Sequence, residues 1–155
     1  MLPTSPKLGV NKQKGFTLIE MLVVLGILAV LLTIVLIAIN PAQQLMSARN
    51  TKRNADVNQI LNAVDQYFIV HGSMPAGITT SAKTLTSTAG ATNIDICTDL
   101  VDEFIAAMPV DPTDGTYTDC TDYGTGYTIQ KSSGGNNRIM VSAPSAESAT
   151  ISVTR

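Results

Sequence analysis

With 155 residues, no Trp, three Phe and four Tyr, the chain has room for one small domain and an anchor, and a soluble core must rest on aliphatic side chains. Ten basic and twelve acidic residues leave a net charge of -2. Asp95, Asp99, Asp102, Glu103, Asp111, Asp114, Asp119 and Asp122 fall in one stretch without Lys or Arg. Such a surface repels a phosphate backbone, so bulk composition gives no support for nucleic acid as a partner.

Residues 1–15 are polar and basic, with Lys7, Lys12 and Lys14 beside Pro3 and Pro6, and are not expected to fold alone. Residues 16–40 are apolar, and none of residues 21–39 is charged. At about 1.5 Å per residue that uncharged run covers roughly 28 Å, enough to cross the hydrocarbon core of a bilayer. A cleaved secretory signal would be shorter and end in a small-x-small site, whereas this run continues to Ala38-Ile39-Asn40-Pro41. A soluble core helix would show a polar stripe, and none precedes Asn40. A plain membrane anchor leaves Glu20 unexplained, because a carboxylate at the edge of hydrocarbon is costly and marks a functional partner. In a chain that began at Phe16, Glu20 would lie one helical turn from the new amine, in the first turn, where the helix dipole favours an anion.

Lys14-Gly15-Phe16-Thr17-Leu18-Ile19-Glu20 resembles the processing motif of type IV prepilins and pseudopilins: a basic leader, Gly before the cut, Phe after it and Glu fifth, ahead of an apolar run. The resemblance covers residues 7–40 closely and the architecture beyond more loosely. It implies that a dedicated prepilin peptidase cuts after Gly15 and methylates the new N-terminus at Phe16. It also implies that Glu20 pairs with the amine of a neighbouring subunit during assembly. The other partners it implies are further copies of this chain and related pilins in a filament, the inner-membrane assembly machinery, and the lipid bilayer before assembly. The chain would then be a single-pass membrane protein with a cytoplasmic N-terminus before processing, and part of an extracytoplasmic, cell-surface filament afterwards. Loss of the leader removes three lysines, leaving seven basic against twelve acidic residues.

Proline at position 41 removes a backbone donor and clashes with the preceding turn. A kink at Pro41, as many pilins have in this region, and a simple end of the membrane span both fit. Residues 41–72 then become amphipathic, with Val57, Ile60, Leu61, Val64, Tyr67 and Phe68 at helical spacing. Arg49, Lys52, Arg53, Asp56 and Asp65 occupy the polar positions, and the basic residues read as a solvated face or subunit contact. Gly72 and Pro75 supply the stop, and His71, the only histidine, reads as a helix-end or surface group.

Residues 73–155 are expected to form the exported globular domain. Within it, residues 76–96 are rich in Thr, Ser, Ala and Gly and read as loop, and residues 99–108 read as a short helix ended by Pro109. Met108-Pro109-Val110-Asp111-Pro112 resembles the passage into the sheet of pseudopilin-like proteins. Tyr127 and Ile129, then Ile139, Val141 and Ala143, then Ile151 and Val153 recur at period two. This predicts three antiparallel strands separated by turns at 132–137 and 144–148. The expected class is α+β: a long N-terminal helix packed on a small three-stranded antiparallel sheet, with the lollipop outline of pilins.

Outside the cytoplasm, Cys97 and Cys120 are expected to form a disulfide that contributes about 3 kcal/mol in the chain-entropy model. The pseudopilins of type II secretion bind calcium in a comparable region, and this resemblance makes Asp111, Asp114, Asp119 and Asp122 candidate calcium ligands. Their spacing does not match an EF-hand, and solvated carboxylates are the alternative. No other cofactor is expected. No enzyme constellation emerges, since Ser and Thr are abundant but the one histidine sits at a helix end without a nucleophile arranged beside it. Two functions stay open: a filament subunit whose mechanism is assembly, and a monomeric membrane-anchored extracytoplasmic binding protein.

Overall fold

The computed structural model describes residues 15–134 and 138–155. The expected leader up to residue 14 and positions 135–137 of the expected hairpin turn lie outside the described residues. The chain divides after Pro41 into two compact units.

In the first unit, helix α1 spans Leu18–Ile39, and none of its residues is buried within the chain. Its Leu, Ala and Met residues are strong helix formers, and Gly26 weakens it by only about 1 kcal/mol relative to Ala. The Thr33 hydroxyl donates to the Ala29 carbonyl at 2.9 Å, so this polar side chain is satisfied inside the helix. By length and composition α1 is able to cross a membrane. The helix stops at Asn40, whose φ of 45° and ψ of 78° are left-handed, a conformation Asn tolerates better than most residues. Pro41 then opens helix α2, Pro41–His71, at a first position where its missing N–H costs nothing. The helical run is therefore interrupted at Asn40, one residue before the proline singled out in the sequence.

In the second unit, α2 turns Val57, Ile60, Leu61, Ala63 and Val64 into the core, as the apolar spacing predicts, while Phe68 is exposed. Arg53 and Asp56 depart from expectation: both are buried among these apolar residues instead of lying on a solvated face. At its C-terminus Gly72 has φ 69° and donates its N–H to the Phe68 carbonyl at 2.8 Å, a left-handed cap that side-chain-bearing residues disfavour. The His71 ring stacks on Tyr67 with 4.2 Å between centroids, and its Nδ1 lies 3.2 Å from the Tyr67 carbonyl oxygen.

The sheet has six strands where the alternation predicts three. Strands β1, Lys83–Thr86, and β2, Asn93–Ile94, lie in the segment expected to be loop, and they pair in parallel, so the sheet is mixed. Both are short, and only Leu85 and Ile94 in them are buried, which leaves no period to read. Helix α3 covers only Cys97–Leu100, where a helix over 99–108 is expected. Val101 adopts extended backbone and Asp102 has φ 73°, which ends the helix, and Ile105 and Met108 reach the core from beyond that turn.

Strands β3, Thr116–Asp119, and β4, Asp122–Lys131, form a hairpin, and β5, Ile139–Ala143, and β6, Ile151–Thr154, continue the sheet antiparallel. The three alternating segments of the sequence are β4, β5 and β6. The order is β2-β1-β4-β5-β6, with β3 paired to β4. Tyr123, Thr125, Tyr127 and Ile129 of β4 are buried in alternation, as are Ile139, Val141 and Ala143 of β5. Together with Ile151 and the α2 stripe these apolar residues make one cluster. Gly126 has φ 77° within the stretch where the β1–β4 register shifts, and a Cβ there would stand 2.9 Å from the Cβ of Asp111.

Candidate functional site: the processing junction and the first turn of α1

Gly15, Phe16 and Thr17 precede α1 without helical structure, and all three are exposed. Phe16 is 75% exposed, and a Cβ on Gly15 would meet nothing within 4 Å among the described residues. Thr17 is the N-cap, in extended backbone with φ −80° and ψ 149°. Its hydroxyl accepts the Glu20 N–H at 3.3 Å, while its own N–H donates to Glu20 Oε2 at 3.4 Å. This reciprocal pair is a capping box, which satisfies two of the donors that a helix start otherwise leaves bare. The Glu20 charge also meets the positive end of the helix dipole. Both Thr17 contacts to the carboxylate run to Oε2, which leaves Oε1 without a partner among the described residues. Glu20 stands out in the sequence as a lone charge beside the apolar run, whereas Thr17 does not. The signal that finds it is Thr-x-x-Glu directly before an apolar run.

A family model described as the prokaryotic N-terminal methylation motif matches residues 10–36, spanning the junction, the capping box and most of α1. The chain carries a type IV pilin-like prepilin leader. No curated protein and no solved structure is significantly similar to it.

The second unit holds the remaining residues singled out in the sequence. Cys97 and Cys120 form the expected disulfide, with 5.3 Å between their Cα atoms, tying the start of α3 to the β3–β4 turn. The basic residues of α2 are occupied within the domain. Arg53 is fully buried and forks onto Asp111, with Nε to Oδ2 at 2.7 Å and Nη2 to Oδ1 at 3.1 Å, and also donates to Thr113 and Asn50. Lys52 reaches Asp56 at 2.8 Å and the Val110 carbonyl at 2.6 Å, and Asp56 accepts the Tyr127 hydroxyl at 2.7 Å. Arg49 pairs with Glu147 at 2.8 Å. Among the described residues every buried side-chain nitrogen or oxygen has a partner.

Burial alone would push the Asp111 carboxyl up, but bonds from Arg53 and Thr113 outweigh it and hold it well below the usual carboxylate range. Its bond to Asp111 raises the Arg53 guanidinium in turn. Burial first, and the Asp56 carboxylate second, push the Tyr127 phenol up.

The four candidate calcium ligands do not converge. Asp111 is committed to Arg53, Asp114 to the Ser145 hydroxyl, and Asp119 caps its own turn through the Thr121 N–H at 2.7 Å and hydroxyl at 2.6 Å. The Asp122 carboxylate accepts from the Thr118 hydroxyl at 3.5 Å, and its backbone N–H donates to Asp119 at 3.1 Å. Among the described residues no three His, Cys, Asp or Glu side chains form a group that could hold a metal ion. The buried ion pair occupies Asp111, and Asp119 and Asp122 face each other across the β3–β4 turn.

Proposed function

We propose that this prepilin is a structural subunit of a type IV pilus or pilus-like pseudopilus filament, cut after Gly15 by a prepilin peptidase, methylated at Phe16 and assembled with other pilins through α1. The observation that carries this reading is the match of the methylation motif to a segment whose helix has no residue buried in its own chain. A helix apolar on every side must be covered by something other than water. Lipid covers it before assembly, and neighbouring α1 helices cover it afterwards. Gly26 supports this, because it leaves an open apolar notch bordered by Val23, Ile27, Val30 and Leu31, where a second helix can approach closely.

In this reading Glu20 takes the Phe16 amine of a neighbouring subunit, and the break at Asn40 and Pro41 lets the chain bend as it leaves the membrane. The N-terminus is cytoplasmic before processing, and the second unit lies on the far side, where a disulfide persists. Assembly machinery in the inner membrane then moves the subunit into an extracytoplasmic filament. Mass spectrometry of the mature N-terminus tests the proposal, with N-methylated Phe16 the expected result. An uncut Met1 rejects it and leaves a membrane-anchored binding protein. A Glu20→Ala chain is expected to be cut normally yet give few filaments, and a normal filament yield removes Glu20 from assembly.

A further inference from the structure

Apart from Asp114, whose carboxylate takes the Ser145 hydroxyl, the charged side chains of the second unit that lack a partner of opposite charge fall into an acidic set around the Cys97–Cys120 bond and a basic set at the far end of β4. At one end the Cys97–Cys120 bond merges two acidic segments. Asp95 and Asp99 flank Cys97, Asp102 and Glu103 follow, and Asp119 and Asp122 flank Cys120. Asp102, Glu103, Asp119 and Asp122 are exposed, and among the described residues no cation pairs with any of the six. At the other end Lys131 closes β4 opposite Ile139, Arg138 precedes β5, and Lys83 opens β1 opposite Ile129. None of these three pairs with a carboxylate among the described residues, whereas Arg155 nearby is held by Asp65 at 3.6 Å.

Strand β4 begins at Asp122 and ends at Lys131. At about 3.3 Å per residue its ends are up to roughly 30 Å apart, several times the screening length at physiological salt, so the two charge sets cannot neutralise each other within one chain. Between copies they can. A contact of one end with the other is heterologous, and such contacts propagate into a ring or an open filament instead of stopping at a pair.

We infer that the acidic end around the disulfide docks on the basic end of a second copy of this chain, at Lys83, Lys131 and Arg138. The inference rests on the filament reading and adds a contact between exported domains that selects which faces meet. Single exposed ion pairs are weak, so the contact acts through steering and through the exclusion of like-charged faces.

The test uses the full chain in cells that assemble it, reading sheared filaments per cell, with the oxidised chain in the membrane as the control for folding. Glu103→Lys with Asp122→Lys gives a chain basic at both ends, and Lys131→Glu with Arg138→Glu gives one acidic at both ends. Each alone is expected to lower filament yield about tenfold, because attraction becomes like-charge contact. Co-expressed, the two are expected to recover to within about threefold of the unchanged chain as mixed filaments, since alternating copies restore the attraction. Unchanged yield from either chain alone overturns the docking contact and leaves the filament reading standing. Loss in both without recovery on co-expression overturns it as well. Should a reversed chain not accumulate in oxidised form, Glu103→Gln and Arg138→Gln replace it, each with an expected loss of about threefold, and unchanged yield again overturns the contact. No filaments from the unchanged chain is a different result, which removes the filament reading itself.

Discussion

Replacing Arg53 by Met removes the cation of a pair in which both side chains are fully buried, and leaves the Asp111 carboxylate facing the core. Breaking a buried ion pair on one side costs about 3–5 kcal/mol, since the remaining charge has lost its compensation. Asp111 keeps bonds from the Thr113 N–H at 2.8 Å and hydroxyl at 2.7 Å, which places the expected loss near the lower end, about 3 kcal/mol. A domain has about 5–15 kcal/mol in all, so this is a large fraction. For a unit of this size it corresponds to a fall in Tm of about 12 °C or more. The assay is thermal unfolding of the mature chain in detergent at neutral pH, followed by far-UV circular dichroism. Adding Asp111→Asn removes the stranded charge while keeping an acceptor for the Thr113 N–H, so the double variant is expected to regain at least about half of the loss. A single variant within about 1 kcal/mol of the parent, or a double variant as unstable as the two single losses added, would refute the reasoning.

Reducing Cys97–Cys120 is expected to lower stability toward denaturant by about 3 kcal/mol, and equal urea midpoints with and without reductant would contradict this. Gly126→Ala forces a side chain onto positive φ and toward Asp111, with an expected cost of about 2–3 kcal/mol read as a lower Tm; an unchanged Tm would mean β4 can relax there. The pH dependence has a definite sign at both limits. Because Asp111 is held below its ordinary value, it contributes stability that is complete above about pH 4 and is lost as pH falls through its folded value. Urea titrations should show this acid loss, and Asp111→Asn should flatten it. Tyr127 is raised, so its contribution is complete below about pH 10 and declines as pH rises toward its folded value. Tyr127→Phe should reduce that alkaline decline, and an unchanged slope would count against the assignment.

The methylation motif is legible in the sequence because its signal is local: Gly15, Phe16 and Glu20 stand within one short segment beside an apolar run. The strands β4, β5 and β6 are legible for a similar reason, since one buried face imposes a period of two on Tyr127 and Ile129 and on their partners. Strand β1 is not, because it is held by pairing with β4 and buries only Leu85, so its Thr-rich sequence carries no alternation. The expected helix over 99–108 fails at Asp102, whose left-handed backbone no hydrophobic pattern reports. Arg53 shows the deeper limit. Its place on the stripe of Val57, Ile60 and Val64 is visible in the spacing, but its reason for being buried is Asp111, which is 58 positions away. Residue type alone argues for solvent, and only the fold supplies the partner.

Because Glu20 is already bonded to Thr17 in the single chain, its carboxylate reaches the edge of a bilayer with part of its hydration shell replaced. On the filament reading, the membrane-held subunit then carries a carboxylate that is half satisfied within its own chain. On that reading recruitment would be a ligand exchange at one carboxylate, with an incoming amine added at Oε1 or taking the place of Thr17.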